Sequence, residues 1–254
     1  MHFRWPKNLH GWRDFGREIT IVVIGVLIAI GLDQWVEHRH WVQKINRAEG
    51  AMRLELTQDD GPQAFVRLAI APCLDAAVGQ IEEAADSAPE RRLRQMADSY
   101  RPPFRTWDAQ GWAAVLASDV GSHMDSDRLV KWSSPYLLIA NMTAWNQRES
   151  ELVIDLRETV PPDVASSASQ RQDLRREAAE LRGLNIWLSG GSRLLLAAMD
   201  DNGMHMTRSD EASLLRDARA RYGACVRPPQ PAGTAGLTQF STDDQMRRFA
   251  LETP

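Results

Sequence analysis

From Ile19 to Leu32 the chain reads ITIVVIGVLIAIGL, a run without a single charged side chain. At about 1.5 Å per residue a helix over this run covers roughly 21 Å, short of the ~30 Å hydrocarbon core of a bilayer. The flanks lengthen it. Trp12 and Phe15 stand upstream, and Trp35 and Trp41 stand downstream, where aromatic rings favour headgroup depth. Arg13 and Arg17 are placed to snorkel, which stretches the usable span to about 20 residues. The expectation is a transmembrane helix over 19–36. Two other readings fit the same run. One is a cleaved secretory signal, with Ala29-Ile30-Gly31 before a cut at Leu32, although no polar cleavage region separates the two. The other is a core helix of a soluble domain, which would then lack any polar face.

Among the 254 residues no second run of this kind occurs, which excludes a multi-span transporter. Hydrophobic residues make up 43% and charged residues 25%, the balance of a folded globular body rather than a disordered polymer. Thirty basic residues face 34 acidic ones, so bulk charge gives no argument for nucleic acid as a partner. Arg4, Lys7, Arg13 and Arg17 precede the run, and Arg39, Lys44, Arg47 and Arg53 follow it. The first turns after the run are the less basic side, and a short basic tail resists translocation. That favours residues 1–18 as a cytoplasmic tail and a body outside the inner membrane, which in a bacterium is the periplasm. Cys73 and Cys225 are the only cysteines. In an oxidising compartment they are candidates for one disulfide closing a long loop, and in a reducing one for two buried thiols.

The rest of the chain reads as all-α, the span continuing into an irregular helical bundle over 37–226, with a flexible tail over 227–254. Trp41, Ile45, Ala48, Met52 and Leu56 share one helical face, which points to an exit helix packed on the body. Asp59-Asp60-Gly61-Pro62 should break it. A second helix then runs to Ser87 with a kink at Pro72. Ser87-Ala88-Pro89-Glu90 has the form of a capped helix start. Trp107, Trp112, Val115 and Leu116 suggest a short helix closing near Gly121. Asp125 and Ser126 are placed to cap a long helix whose stripe is Leu129, Trp132, Tyr136, Ile139, Thr143, Gln147 and Ser150. The polar middle of that stripe would line a cavity or face water. A further helix passes Ser189-Gly190-Gly191-Ser192, where a kink or close packing is expected, and stops at Asn202-Gly203. A last helix spans about Ser209 to Tyr222.

Chemistry is sparse. The histidines form no His-Glu-x-x-His motif, and no nucleophile elbow occurs. Met204-His205-Met206 has ligand types that suit cuprous ion, but no repeat of spaced methionines accompanies it. No catalytic residue, cofactor or metal site is expected, and enzymatic activity stays an open alternative. Gly25 and Ala29 form a small-x-x-x-small pair that would permit close approach of a second span.

The stretch from Arg17 to Glu37, through Glu18, Val22, Val23, Gly25, Ala29, Asp33, Gln34, Trp35 and Glu37, resembles a signature of uncharacterised bacterial single-pass membrane proteins. A weaker likeness continues over 106–129. The resemblance implies a membrane-anchored helical module and no particular chemistry. The function expected is therefore a binding or interaction module of the cell envelope. The bilayer would be its first partner, with an envelope protein or a second copy as a further one. A tethered enzyme and a sensor ectodomain served by a separate signalling partner are the alternatives.

Overall fold

A computed structural model describes residues 12–160 and 166–230, and all of its regular structure is helical. Most of the basic tail and the segment after 230 lie outside the described residues, as do the side chains of Trp12 and Arg13. Helix α1 (Trp12–Glu55) carries the apolar run, and α2 (Gly61–Ala84) follows it. The expected break between them does not occur. Residues 56–60 form one π-helical turn, and the helix is continuous from Phe15 to Ala84, about 105 Å of rod. The reason is local. A proline ring inside an α-helix collides with the carbonyl four residues back. Here the Gly61 N–H donates to the Leu56 carbonyl, five residues back, and the wider turn makes room for Pro62.

Three shorter helices cross over the rod. They are α3 (Glu90–Ser99), α4 (Gln110–Ala117) and α5 (Val120–His123). Pro89, not Ser87, is the N-cap of α3, and no side chain caps it. Trp107 lies ahead of α4 and is buried, whereas Leu116, expected on its inner face, is exposed. Two long helices follow, α6 (Ser126–Thr159), capped by Asp125 as expected, and α7 (Ala168–Asp201). Ser167 and Gln170 close a capping box at the start of α7. At its end Gly203 takes φ of 65°, and the Met204 N–H reaches back to the Met199 carbonyl, the αL stop that Asn202-Gly203 predicts. Last comes α8 (Arg208–Tyr222), capped by Thr207.

Side-chain ties give the topology. Trp132 donates to Glu49 at 3.2 Å, Tyr136 to the Met52 carbonyl at 3.4 Å, and Arg67 to Glu149 at 2.8 Å, so α6 runs alongside α1–α2 in the same direction. Arg171 bonds the Ala85 and Ala88 carbonyls, and Arg53 bonds the Gly203 carbonyl, so α7 returns antiparallel. Helix α8 packs on α2, and Cys225 just beyond it is joined to Cys73 by a disulfide, with Cα atoms 5.2 Å apart.

The buried face of α6 follows the expected stripe at Trp132, Tyr136 and Ile139, then differs by one position, with Met142, Asn146 and Glu149 buried, and continues through Leu152, Val153 and Leu156. Thr143 and Gln147 face solvent, and Ser150 is half-buried. The core lies in two clusters along the rod. One groups Met52, Leu56, Trp132, Ile139, Met142, Leu188 and Leu195, and the other Ile70, Leu74, Ile81, Leu93, Leu152, Leu156 and Leu181. Helices α6 and α7 approach closely at Gly191, where a Cβ would sit 3.0 Å from Met142 Cγ and 3.1 Å from Trp145 Cζ3. Close packing, rather than an interruption, explains the glycine pair. Replacing Gly191 by Val should destabilise the full chain by about 2 kcal/mol through overpacking. Gly183→Ala, on the same helix with nothing within 4 Å, should be neutral or gain up to about 1 kcal/mol. Urea unfolding in mild detergent checks the pair.

Candidate functional site

Between the two core clusters lies a layer that is not apolar. Arg67 on α2, Glu149 on α6 and Asn185 on α7 meet there, each almost wholly buried. The Arg67 guanidinium donates to both Glu149 oxygens at 2.8 Å and to Asn185 Oδ1 at 3.1 Å. Asn185 Nδ2 in turn donates to the Ala71 carbonyl at 3.2 Å. A bidentate pair of this kind fixes the register of three helices at once. Its net contribution to stability is small, but the loss of one partner strands a charge in the core.

The 100–109 segment closes over this layer. Asn146 donates to the Arg105 carbonyl, Arg157 to the Tyr100 carbonyl, and the Tyr222 hydroxyl to the Arg101 carbonyl. The disulfide between Cys73 and Cys225 holds the end of α8 in place. Burial pushes the Tyr100 hydroxyl far above its usual range, and the nearby Glu149 adds to the shift. Burial also brings Arg105 down to about 10, with Arg67 reinforcing the effect. Arg67 Nε, Tyr100 Oη, Arg105 Nε and Arg157 Nε are all buried without a protein acceptor. On the outer side of the layer a cleft of about 210 Å³ opens between Phe104 and the α6 face carrying Val153, Ile154 and Arg157.

A second polar group sits at the π-turn. Glu55 accepts the Gly111 N–H at 2.8 Å and Asp60 accepts the Asp108 N–H at 3.2 Å, which fastens the start of α4 to the rod. Asp60 is fully buried, and burial raises its carboxyl from 3.8 to about 7, against the lowering by the Asp108 hydrogen bond and with small additions from Glu55, Asp108 and Asp59.

The methionine-histidine cluster has other work. Met204 is buried, Met199 packs on Gly61, and His205 Nδ1 lies 2.7 Å from Asp200. Among the described residues no group of three His, Cys, Asp or Glu side chains is placed to hold a metal.

No protein-family model, curated protein or solved structure matches this chain. The site is therefore read from its own geometry.

Of the residues singled out in the sequence, Cys73 and Cys225 come together. Arg17, Gly25, Ala29 and Trp35 lie exposed along the free part of the rod, and nothing lies within 4 Å of a Cβ built on Gly25. Trp41 is half-buried, stacked on His123 with ring centres 3.5 Å apart and Lys44 Nζ 4.4 Å from its own ring centre, so it marks where the body begins. Arg67, Glu149 and Asn185 escaped sequence reasoning. The available signal was Arg67 on the same face as Ala64, Ile70 and Leu74, a charge inside an apolar stripe.

Arg67→Met should cost about 3–5 kcal/mol by leaving Glu149 buried and unpaired, and adding Glu149→Leu should recover most of it. A double-mutant cycle by urea unfolding reads the coupling. For Asp60, the unfolded carboxyl loses its proton near 3.8 while the folded one keeps it to about 7. The contribution of Asp60 to stability is thus greatest at acid pH, falls by up to about 4 kcal/mol as pH rises through that window, and levels off above it. Asp60→Asn should remove this slope and be the more stable protein at pH 8, as measured by unfolding at a series of pH values against the parent chain.

Proposed function

We propose that this chain is a single-pass, membrane-anchored helical module of the bacterial cell envelope. Its short basic tail would be cytoplasmic and its body periplasmic, where it presents a binding surface. One observation carries the reading. The most apolar stretch of the long helix has none of its residues buried, while the same unbroken helix enters the core from Ile45 onward. A soluble core helix would bury that stretch. Ile21, Val22, Leu27, Ile28 and Leu32 are exposed all round the rod, the arrangement that a lipid surround stabilises. Trp35, with the Arg39 guanidinium 4.8 Å from its ring centre, supplies an amphipathic collar at the exit.

The disulfide supports an oxidising location for the body, since such bonds persist outside the reducing cytosol. The cationic residues before the span support the same orientation. The body itself offers a buried polar layer and an adjoining cleft, which suit binding. Partners of the expected kind are an envelope protein or a second copy, with Gly25 and Ala29 exposed on the span.

Membrane fractionation tests the anchor. The full-length polypeptide, Met1 included, is expected to resist carbonate extraction and to float with lipid vesicles. Recovery of that intact polypeptide in the soluble fraction of a detergent-free lysate overturns it. In spheroplasts, added protease should degrade the body, and maleimide should label neither cysteine until reductant is added.

A further inference from the structure

We propose that the cleft beside the buried polar layer binds a small organic anion, an acidic head group joined to a short apolar body. The inference rests on reading the body as a binding module and names the ligand class of that module.

Charge is the first argument. Arg101 and Arg157 line the cleft, and among the described residues neither has a carboxylate partner. Among the described residues the one carboxylate lining it is Glu149, whose two oxygens are already engaged by Arg67. Arg105, one residue past the lining Phe104, also lacks an ion pair among the described residues. The wall thus carries two guanidinium groups, with a third just behind it, that no described carboxylate pairs. Arginine in such a place recognises a carboxylate or a phosphoryl group.

Hydrogen bonding is the second. On the cleft wall Arg157 Nε is buried without an acceptor, and behind it Arg67 Nε, Arg105 Nε and the Tyr100 hydroxyl are also unpaired among the described residues. The guanidinium nitrogens can only donate, whereas the hydroxyl can donate or accept. Arg157 is the one of these on the lining, and its unpaired donor asks for an acceptor in the cleft.

Shape is the third. Phe104 is 74% exposed and Ile154 is 54% exposed at the mouth, with Val153 below and two prolines behind. Such large apolar side chains suit the hydrocarbon part of an amphipathic ligand. At about 210 Å³ the cleft is smaller than most drug-sized sites, so the ligand, or the part held, is small.

A lipid still seated in the bilayer does not meet these terms. Arg67 lies about 48 Å beyond Trp35 along the continuous helix, and even at a tilt of ~40° the cleft stands more than about 30 Å clear of the headgroups. The ligand is a soluble one.

The test uses the full chain in lipid nanodiscs, titrated calorimetrically with phenylacetate, phenyl phosphate, 2-phenylethanol and phenethylammonium. Both anions should bind tenfold or more tightly than the neutral and cationic analogues. The stronger of the two anions identifies the head group as carboxylate or phosphoryl. Phe104→Ala and Arg101→Gln alter exposed side chains and should each weaken anion binding fivefold or more without moving the thermal midpoint. Arg157→Gln should weaken anion binding as well, with a fold loss that shrinks as salt is raised, and its thermal midpoint should fall because the bond to the Tyr100 carbonyl goes with it. Equal binding of phenethylammonium, anion binding indifferent to all three substitutions, or no anion binding at millimolar concentration overturns the proposal. A chain that binds phenylacetate but leaves the lipid overturns only the anchor, and a chain that stays in lipid but ignores both anions overturns only this inference.

Discussion

The unbroken hydrogen-bond ladder from Phe15 to Ala84 is the constraint on which the rest of the molecule depends. An apolar rod exposed on all sides and the central strut of the body are the same helix, so the body has no joint at which to swivel about its apolar stem. The continuity hangs on one turn. The π-helical step at 56–60 absorbs Pro62, and the two carboxylates that flank it, Glu55 and Asp60, hold the backbone of 108–111 against the rod. A π-turn within a long helix commonly marks a place under functional pressure. Here it is also where a buried carboxyl changes charge near neutral pH.

The second organising element is the polar layer of Arg67, Glu149 and Asn185. The apolar clusters on either side are built from leucine, isoleucine and methionine, and such surfaces tolerate sliding by a helical turn at modest cost. A bidentate ion pair locked to an asparagine does not tolerate it, because a shifted register strands a charge. The layer therefore selects one alignment of α2, α6 and α7, at a stability cost that the apolar clusters offset.

Much of this was legible in the amino-acid order. The all-helical class, the stripe Ile45, Met52 and Leu56 facing the core, the cap at Asp125 and the αL stop at Gly203 follow from periodicity and turn chemistry, while the cysteine count left a Cys73–Cys225 bridge and two buried thiols both open. What was hidden has a common cause. Asp59-Asp60-Gly61-Pro62 reads as a break because each residue is judged by its local preference, whereas tertiary burial of Asp60 and the wider turn retain the helix. The middle of the α6 stripe lies one position from the expected one because Asn146 and Glu149 look like surface residues until a partner on another helix is known. Arg67 supplies that partner 82 residues earlier, and no single-helix pattern contains such information. The cleft was hidden for the same reason: Arg101, Phe104 and Arg157 become neighbours only when α6 lies beside the 100–109 segment.

The disulfide joins positions 152 residues apart and so turns most of the body into a closed covalent ring mounted on the rod. One backbone cut anywhere inside that ring opens it without releasing either fragment, since each remains bonded to the other through sulfur. The body thereby survives a first proteolytic nick with its parts in place, and only a second cut, or a reductant, sets a piece adrift.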